Sequence, residues 1–144
     1  MACNLAYVHA EELSYGQEIA GGPSPKTKCV MIVGKNGSWA SPHGFFRNLL
    51  AQKARGIKLI VSDIRRTKVA EQADIHLQPK PGTDGALAWG MIRVLVKEGL
   101  VNQPFIDQWC TGYEELVQYA EKFTPDYVEK ETCLLYTSDA ADDK

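Results

Sequence analysis

Two continuous apolar runs flank a helical pattern in the first half of the chain. The run CVMIV at 29–33 ends at a glycine and is typical of a strand buried in a parallel sheet. Pro42 then opens a pattern whose apolar positions recur at helical spacing, and Gly56 ends it. A second run, KLIV at 58–61, follows directly. A strand, a helix and a strand within about 30 residues predict a βαβ unit with a right-handed crossover.

The rest of the chain is predicted to be mainly helical after one more strand. The expected elements are a short helix at 66–72, a strand at 75–77, a turn at 79–82, a helix from Asp84 that stops before Gly99, two short amphipathic helices within 105–120, and a further helix capped by Thr124. Together with the βαβ unit they predict a Rossmann-like three-layer α/β fold, with a short parallel sheet and a helical C-terminal part.

Composition narrows the class of protein. The chain has 144 residues, 44% hydrophobic and 24% charged, which is the balance of one globular domain. No apolar run approaches the roughly 20 residues that span a membrane, so no direct membrane insertion is expected. The net charge of -2 indicates no nucleic-acid partner. The four cysteines are far apart and form no CxxC pair, so a zinc knuckle or an iron–sulfur cluster wholly inside this chain is not expected.

The first candidate ligand loop follows the first predicted strand and reads GKNGS at 34–38. Ligands of open parallel sheets bind at the carboxyl ends of the strands. Gly34 lets the backbone approach a phosphate, and the helix start after Pro42 offers free N–H groups and a positive dipole end. Asn36 and Ser38 of the same loop are further candidate cofactor-binding residues. The loop lacks the full GxGxxG fingerprint, and the alternative is a plain turn between strand and helix.

The second candidate loop follows the second predicted strand and contains Asp63, Arg65, Arg66 and Thr67. Asp63 stands where an acidic residue can accept hydrogen bonds from a ribose diol. Arg65 or Arg66 could bind a phosphate through the guanidinium fork. The alternative is that Asp63 caps the next helical turn and the arginines are solvated.

The third candidate patch reads PGTD at 81–84 and contains Gly82, Thr83 and Asp84. A carboxylate accepts two parallel N–H bonds, and guanine presents such a pair on its Watson–Crick edge. Asp84 could therefore recognise guanine. The alternative is that Thr83 or Asp84 caps the following helix.

Four motifs in a fixed order resemble one family, the molybdopterin-dependent oxidoreductases of the dimethyl sulfoxide reductase type. They are GKNGSWASP at 34–42, VSDIRRT at 61–67, ADIHL at 73–77 and PGTD at 81–84. The resemblance spans residues 3–132 and is far more specific than any single motif. Glycine at position 37 and isoleucine at position 64 replace prolines that are common in the family.

The resemblance implies a cofactor, molybdopterin guanine dinucleotide with molybdenum or tungsten. It places phosphate or ribose contacts near Gly34, Asn36 and Asp63, and guanine contacts near Asp84. Cys3 resembles the cysteine that binds molybdenum in several members, and a thiolate is a soft ligand that such a metal accepts. We therefore hypothesise that Cys3 is the metal ligand and a catalytic residue, the alternative being an ordinary small buried residue.

The resemblance also predicts how the chain is organised. Residues 1–28 are expected to be the end of an active-site segment, 29–132 the cofactor-binding α/β domain, and 133–144 a non-native or disordered tail. The chain is expected to be a fragment of a catalytic subunit. An iron–sulfur cluster would lie only in a missing N-terminal part, and the partners would be a small-molecule substrate and electron-transfer subunits.

Several functional alternatives stay open from the sequence. The same scaffold can host a non-redox hydratase, and the chain could instead be a stand-alone nucleotide-binding module. Asn4 follows Cys3 where formate dehydrogenases place a histidine, which speaks against formate as the substrate. The compartment, cytoplasmic or periplasmic, is left undecided. The isolated histidines, among them His76, are interpreted as surface or hydrogen-bonded core residues.

Overall fold

The structure is a computed structural model that describes residues 13–14 and 26–134. Its strands are β1 (Cys29–Val33), β2 (Lys58–Ser62) and β3 (Ile75–Leu77). Its helices are α1 (Gly37–Ala40), α2 (Arg47–Ala54), α3 (Asp84–Lys97), α4 (Gln103–Trp109), α5 (Tyr113–Ala120) and α6 (Pro125–Thr132). A π-helical turn (Pro42–Phe46) precedes α2, and a 3-10 turn (Ala70–Gln72) lies between β2 and β3. The predicted α/β fold, with its short parallel sheet and helical C-terminal part, is confirmed.

The three strands form one parallel sheet in the order β1-β2-β3. Val30 lies opposite Leu59 in β2, and Ile60 lies opposite Ile75 in β3. Because all three strands run the same way, their carboxyl ends meet at one edge of the sheet. That edge carries the loops that the sequence singles out for ligand binding.

One face of the sheet carries the main core. Its buried members are Ile32, Leu49, Leu59, Val61, Val69 and Ala70. They come from β1, α2, β2 and the segment around the 3-10 turn, which explains why the first two strands read as continuous apolar runs. On the other face, Met31, Val33 and Ile75 are 37%, 52% and 51% exposed. The described residues therefore cover this second face only in part.

The C-terminal helices pack against one another and against the turn that precedes α3. Helix α3 contacts α5 and α6. At Gly90 the helices approach so closely that a Cβ atom would lie 2.7 Å from Cγ2 of Val128. The Lys80 N–H donates to the Thr132 carbonyl at 2.9 Å, which ties the PGTD turn to the end of α6. This part of the fold therefore positions the start of α3.

Two local predictions differ from the structure. The short helix expected at 66–72 is only the 3-10 turn Ala70–Gln72. The Thr67 hydroxyl accepts the Ala70 N–H at 3.2 Å, so the helical turn begins at Ala70 rather than at Arg66. The helix expected from Pro42 begins as a π-helical turn, in which the Ser41 hydroxyl accepts the Phe45 N–H at 3.3 Å. In residues 13–14 and 26–134 no helix is long and apolar enough to cross a membrane.

Asp74 stabilises the sheet, and its replacement should lower the free energy of unfolding by an amount that depends on pH. Its Oδ2 accepts the Leu59 N–H at 2.7 Å and lies 2.9 Å from Nζ of Lys53. The hydrogen bond from Lys53, then that from the Leu59 backbone, holds the pKa of Asp74 below its ordinary value of 3.8. We expect Asp74→Asn to cost on the order of 1 kcal/mol of unfolding free energy at neutral pH.

The direction in which the stability contribution of Asp74 changes with pH follows from its lowered pKa. A carboxyl whose pKa is lower in the folded state contributes stability above its unfolded pKa, and this contribution is lost as the pH falls through the folded value. Urea unfolding should show the difference between wild type and Asp74→Asn shrinking as the pH drops below 3.8. Lys53→Met should give the same pH trend, whereas a difference that persists in acid would contradict the ion-pair explanation.

Candidate functional site

A groove of about 320 Å³ opens at the carboxyl ends of β1 and β2, beside the start of α3. Three separate chain segments meet there. The residues that line it are Gly34, Ser62, Asp63, Ile64, Arg65, Pro81, Gly82 and Asp84. It thus joins part of each of the three sequence patches, the turn after β1, the loop after β2 and the PGTD turn, in the position where open parallel sheets bind ligands.

Gly34 contributes space to the groove rather than a hydrogen-bond donor. Its φ is +59°, which a residue with a side chain adopts only with strain. No heavy atom lies within 4 Å of the position that a Cβ would take. Its N–H donates to the Ser62 carbonyl at 2.8 Å, so it is not available to a phosphate. A bound group can therefore approach the backbone here, but this amide does not hold it.

Asp63 is nearly buried at the base of the groove, being 8% exposed. Its Oδ1 accepts the Arg65 N–H at 2.9 Å, which closes a tight turn, and its own N–H donates to the Leu77 carbonyl at 3.0 Å. The other carboxylate oxygen, Oδ2, accepts no hydrogen bond from the residues that the structure describes. Asp63 therefore has one oxygen that fixes its loop and one that is free for a ligand.

Strand β3 holds the Asp63 loop from behind. The His76 ring donates from Nε2 to the Asp63 carbonyl at 3.0 Å, since a carbonyl can only accept. The Gln78 amide donates to the Ile64 carbonyl at 3.4 Å. His76, interpreted from the sequence as a surface or hydrogen-bonded residue, is thus the hydrogen-bonded kind and contacts the loop that carries a candidate ligand group.

Ser62 belongs to this groove, although it was not among the candidate site residues from the sequence. It is the last residue of β2 and is 0% exposed. Its hydroxyl is buried without a hydrogen-bond partner among the described residues. The available signal was a polar residue directly after the apolar run Leu59–Val61, at the carboxyl end of β2.

Arg65 and Asp84 supply charge at the rim. Both side chains are exposed and line the groove. Thr83 occupies the cap position of α3, but its hydroxyl donates to the Lys80 carbonyl at 2.6 Å instead of accepting from the helix. The carboxylate of Asp84 in the first turn lies near the positive end of the helix dipole, where negative charge is stabilised. The rim thus presents one cation and one anion.

The remaining candidate residues lie outside the groove lining. The Ser38 hydroxyl, in α1, donates to Oδ1 of Asn36 at 2.7 Å, so these two side chains are bonded to each other at the start of that helix. Thr67 is occupied by its bond to the Ala70 N–H. Arg66 is exposed and does not line the groove. Cys3 lies outside the described residues, and within 13–14 and 26–134 no three His, Cys, Asp or Glu side chains could hold a metal ion together.

A second hollow, of about 350 Å³, lies among α3, α4 and α5. Its lining is almost entirely apolar and includes Ile92, Leu95, Ile106 and Leu116. Binding sites for polar ligands need a few convergent polar groups, which this lining does not offer. The groove at the strand ends is therefore the stronger candidate for nucleotide chemistry.

Loss of the His76 donor should loosen the Asp63 loop. We expect His76→Leu to lower the unfolding free energy by about 1 kcal/mol, because the Asp63 carbonyl loses a hydrogen bond. Any ligand held by Asp63 should bind several times more weakly. His76→Gln keeps an N–H donor and should restore most of both losses, as thermal unfolding and ligand titration can measure. Equal behaviour of the two variants would show that the ring only fills space.

The sequence of this chain is similar to segments of several known enzymes. No protein-family model matches the chain. The chain is 46% identical to an acetylene hydratase of Syntrophotalea acetylenica over 105 residues, which are 71% of this chain and 14% of that protein. It is 40% identical to a formate dehydrogenase alpha subunit of Methanocaldococcus jannaschii over 102 residues, 71% of this chain and 15% of the relative.

Further relatives extend the same pattern to other reactions. The assimilatory nitrate reductase catalytic subunit of Bacillus subtilis is 33% identical over 112 residues, 76% of this chain and 15% of that protein. Among solved structures, the acetylene hydratase from Pelobacter acetylenicus matches with a TM-score of 0.68 at 44% identity. That match covers 74% of this chain and 15% of the solved one. The chain therefore spans only a small part of each relative's length.

Proposed function

Because the chain belongs to the molybdopterin-dependent oxidoreductases of the dimethyl sulfoxide reductase type, we propose that its groove binds the guanine nucleotide part of a molybdopterin guanine dinucleotide. The observation that carries the proposal is convergence. Gly34, Asp63 and Asp84 are up to 50 residues apart in sequence, yet all three line one groove at the strand ends. A nucleotide needs such a combination of close backbone, ribose acceptor and base acceptor.

The groups present fit a nucleotide. The free Oδ2 of Asp63 can accept from a ribose hydroxyl, and the Arg65 guanidinium can pair with a phosphate. The two oxygens of Asp84 match the paired N–H donors of guanine. The unpartnered hydroxyl of Ser62 and the open space over Gly34 are features that a bound polar group would fill. Asn36, Ser38, Arg66, Thr67 and Thr83 receive no direct contact in this proposal.

The cofactor, when bound, supplies a molybdenum or tungsten centre that undergoes two-electron redox change, while the protein orients and tunes it. Within the whole protein we propose that Cys3 coordinates this metal and that a small-molecule substrate reacts there. Electron-transfer subunits and an iron–sulfur cluster would belong to the longer protein. This chain spans 14% to 15% of the relatives named above, so the rest of the cofactor's binding cleft would come from the longer protein.

A second reaction class has a specific observation in its favour. An acetylene hydratase is 46% identical to this chain, a higher value than the 33% identity to the nitrate reductase. Hydration of a small unsaturated molecule is therefore the alternative to net redox chemistry. The groove residues described here bind the cofactor's nucleotide end in either case, so they do not separate the two reactions.

The proposal is tested by titrating the chain with GDP, ADP and inosine diphosphate and measuring the heat of binding. GDP should bind most tightly. Inosine diphosphate lacks the exocyclic amino group, so Asp84 can make only one of its two bonds and binding should be weaker. Equal affinity for GDP and ADP would contradict guanine recognition by this groove.

A further inference from the structure

Among the described residues that line the groove, Ser62 has a fully buried side-chain hydroxyl that makes no hydrogen bond. It belongs to the central strand and is 0% exposed. Its carbonyl is satisfied by the Gly34 N–H at 2.8 Å, but its Oγ has no partner among the described residues. A buried hydroxyl without a partner destabilises the fold, because it has given up its hydrogen bonds to water.

The other fully or nearly buried hydroxyls of the described chain are satisfied. The Thr67 Oγ1 accepts the Ala70 N–H at 3.2 Å, and the Thr132 Oγ1 donates to the Val128 carbonyl at 2.6 Å. Arg93 Nε is also without a hydrogen bond, yet it lies 3.5 Å from a carboxylate oxygen of Glu121. Ser62 is therefore the exception in this part of the chain, and it is an exception that lines the candidate ligand groove.

Its neighbours restrict what the hydroxyl can meet. Gly34 and Asp63 line the same groove, and no heavy atom lies within 4 Å of the position that a Cβ of Gly34 would take. An ionised carboxylate can only accept hydrogen bonds, whereas a serine hydroxyl can also donate. Ser62 therefore offers the base of the groove a donor that Asp63 cannot supply. The matching ligand group is a hydrogen-bond acceptor, and the ribose and pyrophosphate of a nucleotide provide several acceptor oxygens.

We propose that Ser62 is a ligand-binding residue, whose hydroxyl donates to an oxygen of the ribose–pyrophosphate part of the nucleotide. This inference rests on the proposed function, since it assigns a contact within the same groove. Because the hydroxyl is fully buried in the free chain, this contact requires the Ser62 side chain to change its rotamer when the ligand binds. The hydroxyl then gains its missing hydrogen bond only in the complex. Ser62 therefore lowers the stability of the free protein and raises its affinity for the nucleotide.

Substitution of such a residue should change stability and affinity in opposite directions or leave stability unchanged. Ser62→Ala removes the unpartnered hydroxyl, so the Tm of the free chain should stay the same or rise. The same change should weaken GDP binding about tenfold, which corresponds to ~1.4 kcal/mol. Preference for GDP over ADP should be unchanged, because the guanine edge is contacted elsewhere. Thr132→Val is the matched control: it removes a satisfied buried hydroxyl and should lower the Tm without changing GDP affinity.

The experiment uses the full 144-residue chain, with thermal unfolding and GDP titration of wild type and both variants. A stable Ser62→Ala variant with tenfold weaker binding supports the proposal. Unchanged GDP affinity of that variant overturns it while the proposed function stands. A fall in Tm as large as that of Thr132→Val also overturns it, since the hydroxyl would then be bonded within the free chain. Failure of the wild type to bind GDP contradicts the proposed function and this assignment together.

Discussion

Asp84→Asn is expected to weaken GDP binding by about 10- to 100-fold, the loss that follows when a charged hydrogen-bonding group of a polar site is replaced. The carboxylate of Asp84 lines the groove and presents two acceptors. Asparagine keeps the size but turns one acceptor into an NH₂ donor, which faces the donors of guanine. Discrimination between GDP and ADP should largely disappear, as measured by the heat of binding at fixed ionic strength.

The matched control is Asp126→Asn. Asp126 is also an exposed aspartate in the first turn of a helix, α6, but it does not line the groove. It should leave both affinity and base preference unchanged, which separates a local contact from a general loss of negative charge. If Asp84→Asn retained the guanine preference of wild type, the base would have to be recognised by another group.

Cys3→Ala is expected to abolish turnover in the intact enzyme that carries this segment, while the protein stays folded. Cys3 lies outside the described residues, so the expectation rests on the resemblance and on the affinity of a thiolate for a soft metal. Turnover of formate, nitrate and acetylene, the substrates that the names of its relatives suggest, should be measured alongside circular dichroism and metal content.

Cys29→Ala serves as the control for that experiment. Cys29 is a free, exposed cysteine in β1, away from the carboxyl end of the strand. Its replacement should leave turnover near that of wild type. Full activity of Cys3→Ala would remove Cys3 from the list of metal ligands, whatever its effect on stability.

The fold was predictable because buried parallel strands leave a strong pattern. Leu59 and Val61 face the main core, and Ile60 is half-buried on the opposite face, so β2 reads as an unbroken apolar run. Gly56, with φ of +87°, follows the end of α2, as a glycine after a helix predicts. These sequence signals are local, so they predict strands and helix ends without knowledge of the rest of the molecule.

The candidate site was predictable only in outline, because hydrogen bonds across the sheet cannot be read from a sequence. The backbone at Gly34 was expected to approach a phosphate, but the Gly34 N–H itself donates to the Ser62 carbonyl of the neighbouring strand. Thr67 and Thr83 match the family pattern in sequence, yet their hydroxyls bond to the backbone near them. The isolation of the Ser62 hydroxyl follows from three-dimensional packing that no spacing of residues reveals.

The central claim is that one groove at the strand ends binds the guanine nucleotide. The most direct measurement is a titration of the isotope-labelled chain with GDP. The shifts of the backbone amide signals are recorded at each step in two-dimensional nuclear magnetic resonance spectra. The account predicts the largest shifts at Gly34, Asp63 and Gly82 with Asp84, all of which line the groove. Shifts confined to the apolar hollow around Ile92 and Leu116, or no saturable shift at these groove residues, would contradict it.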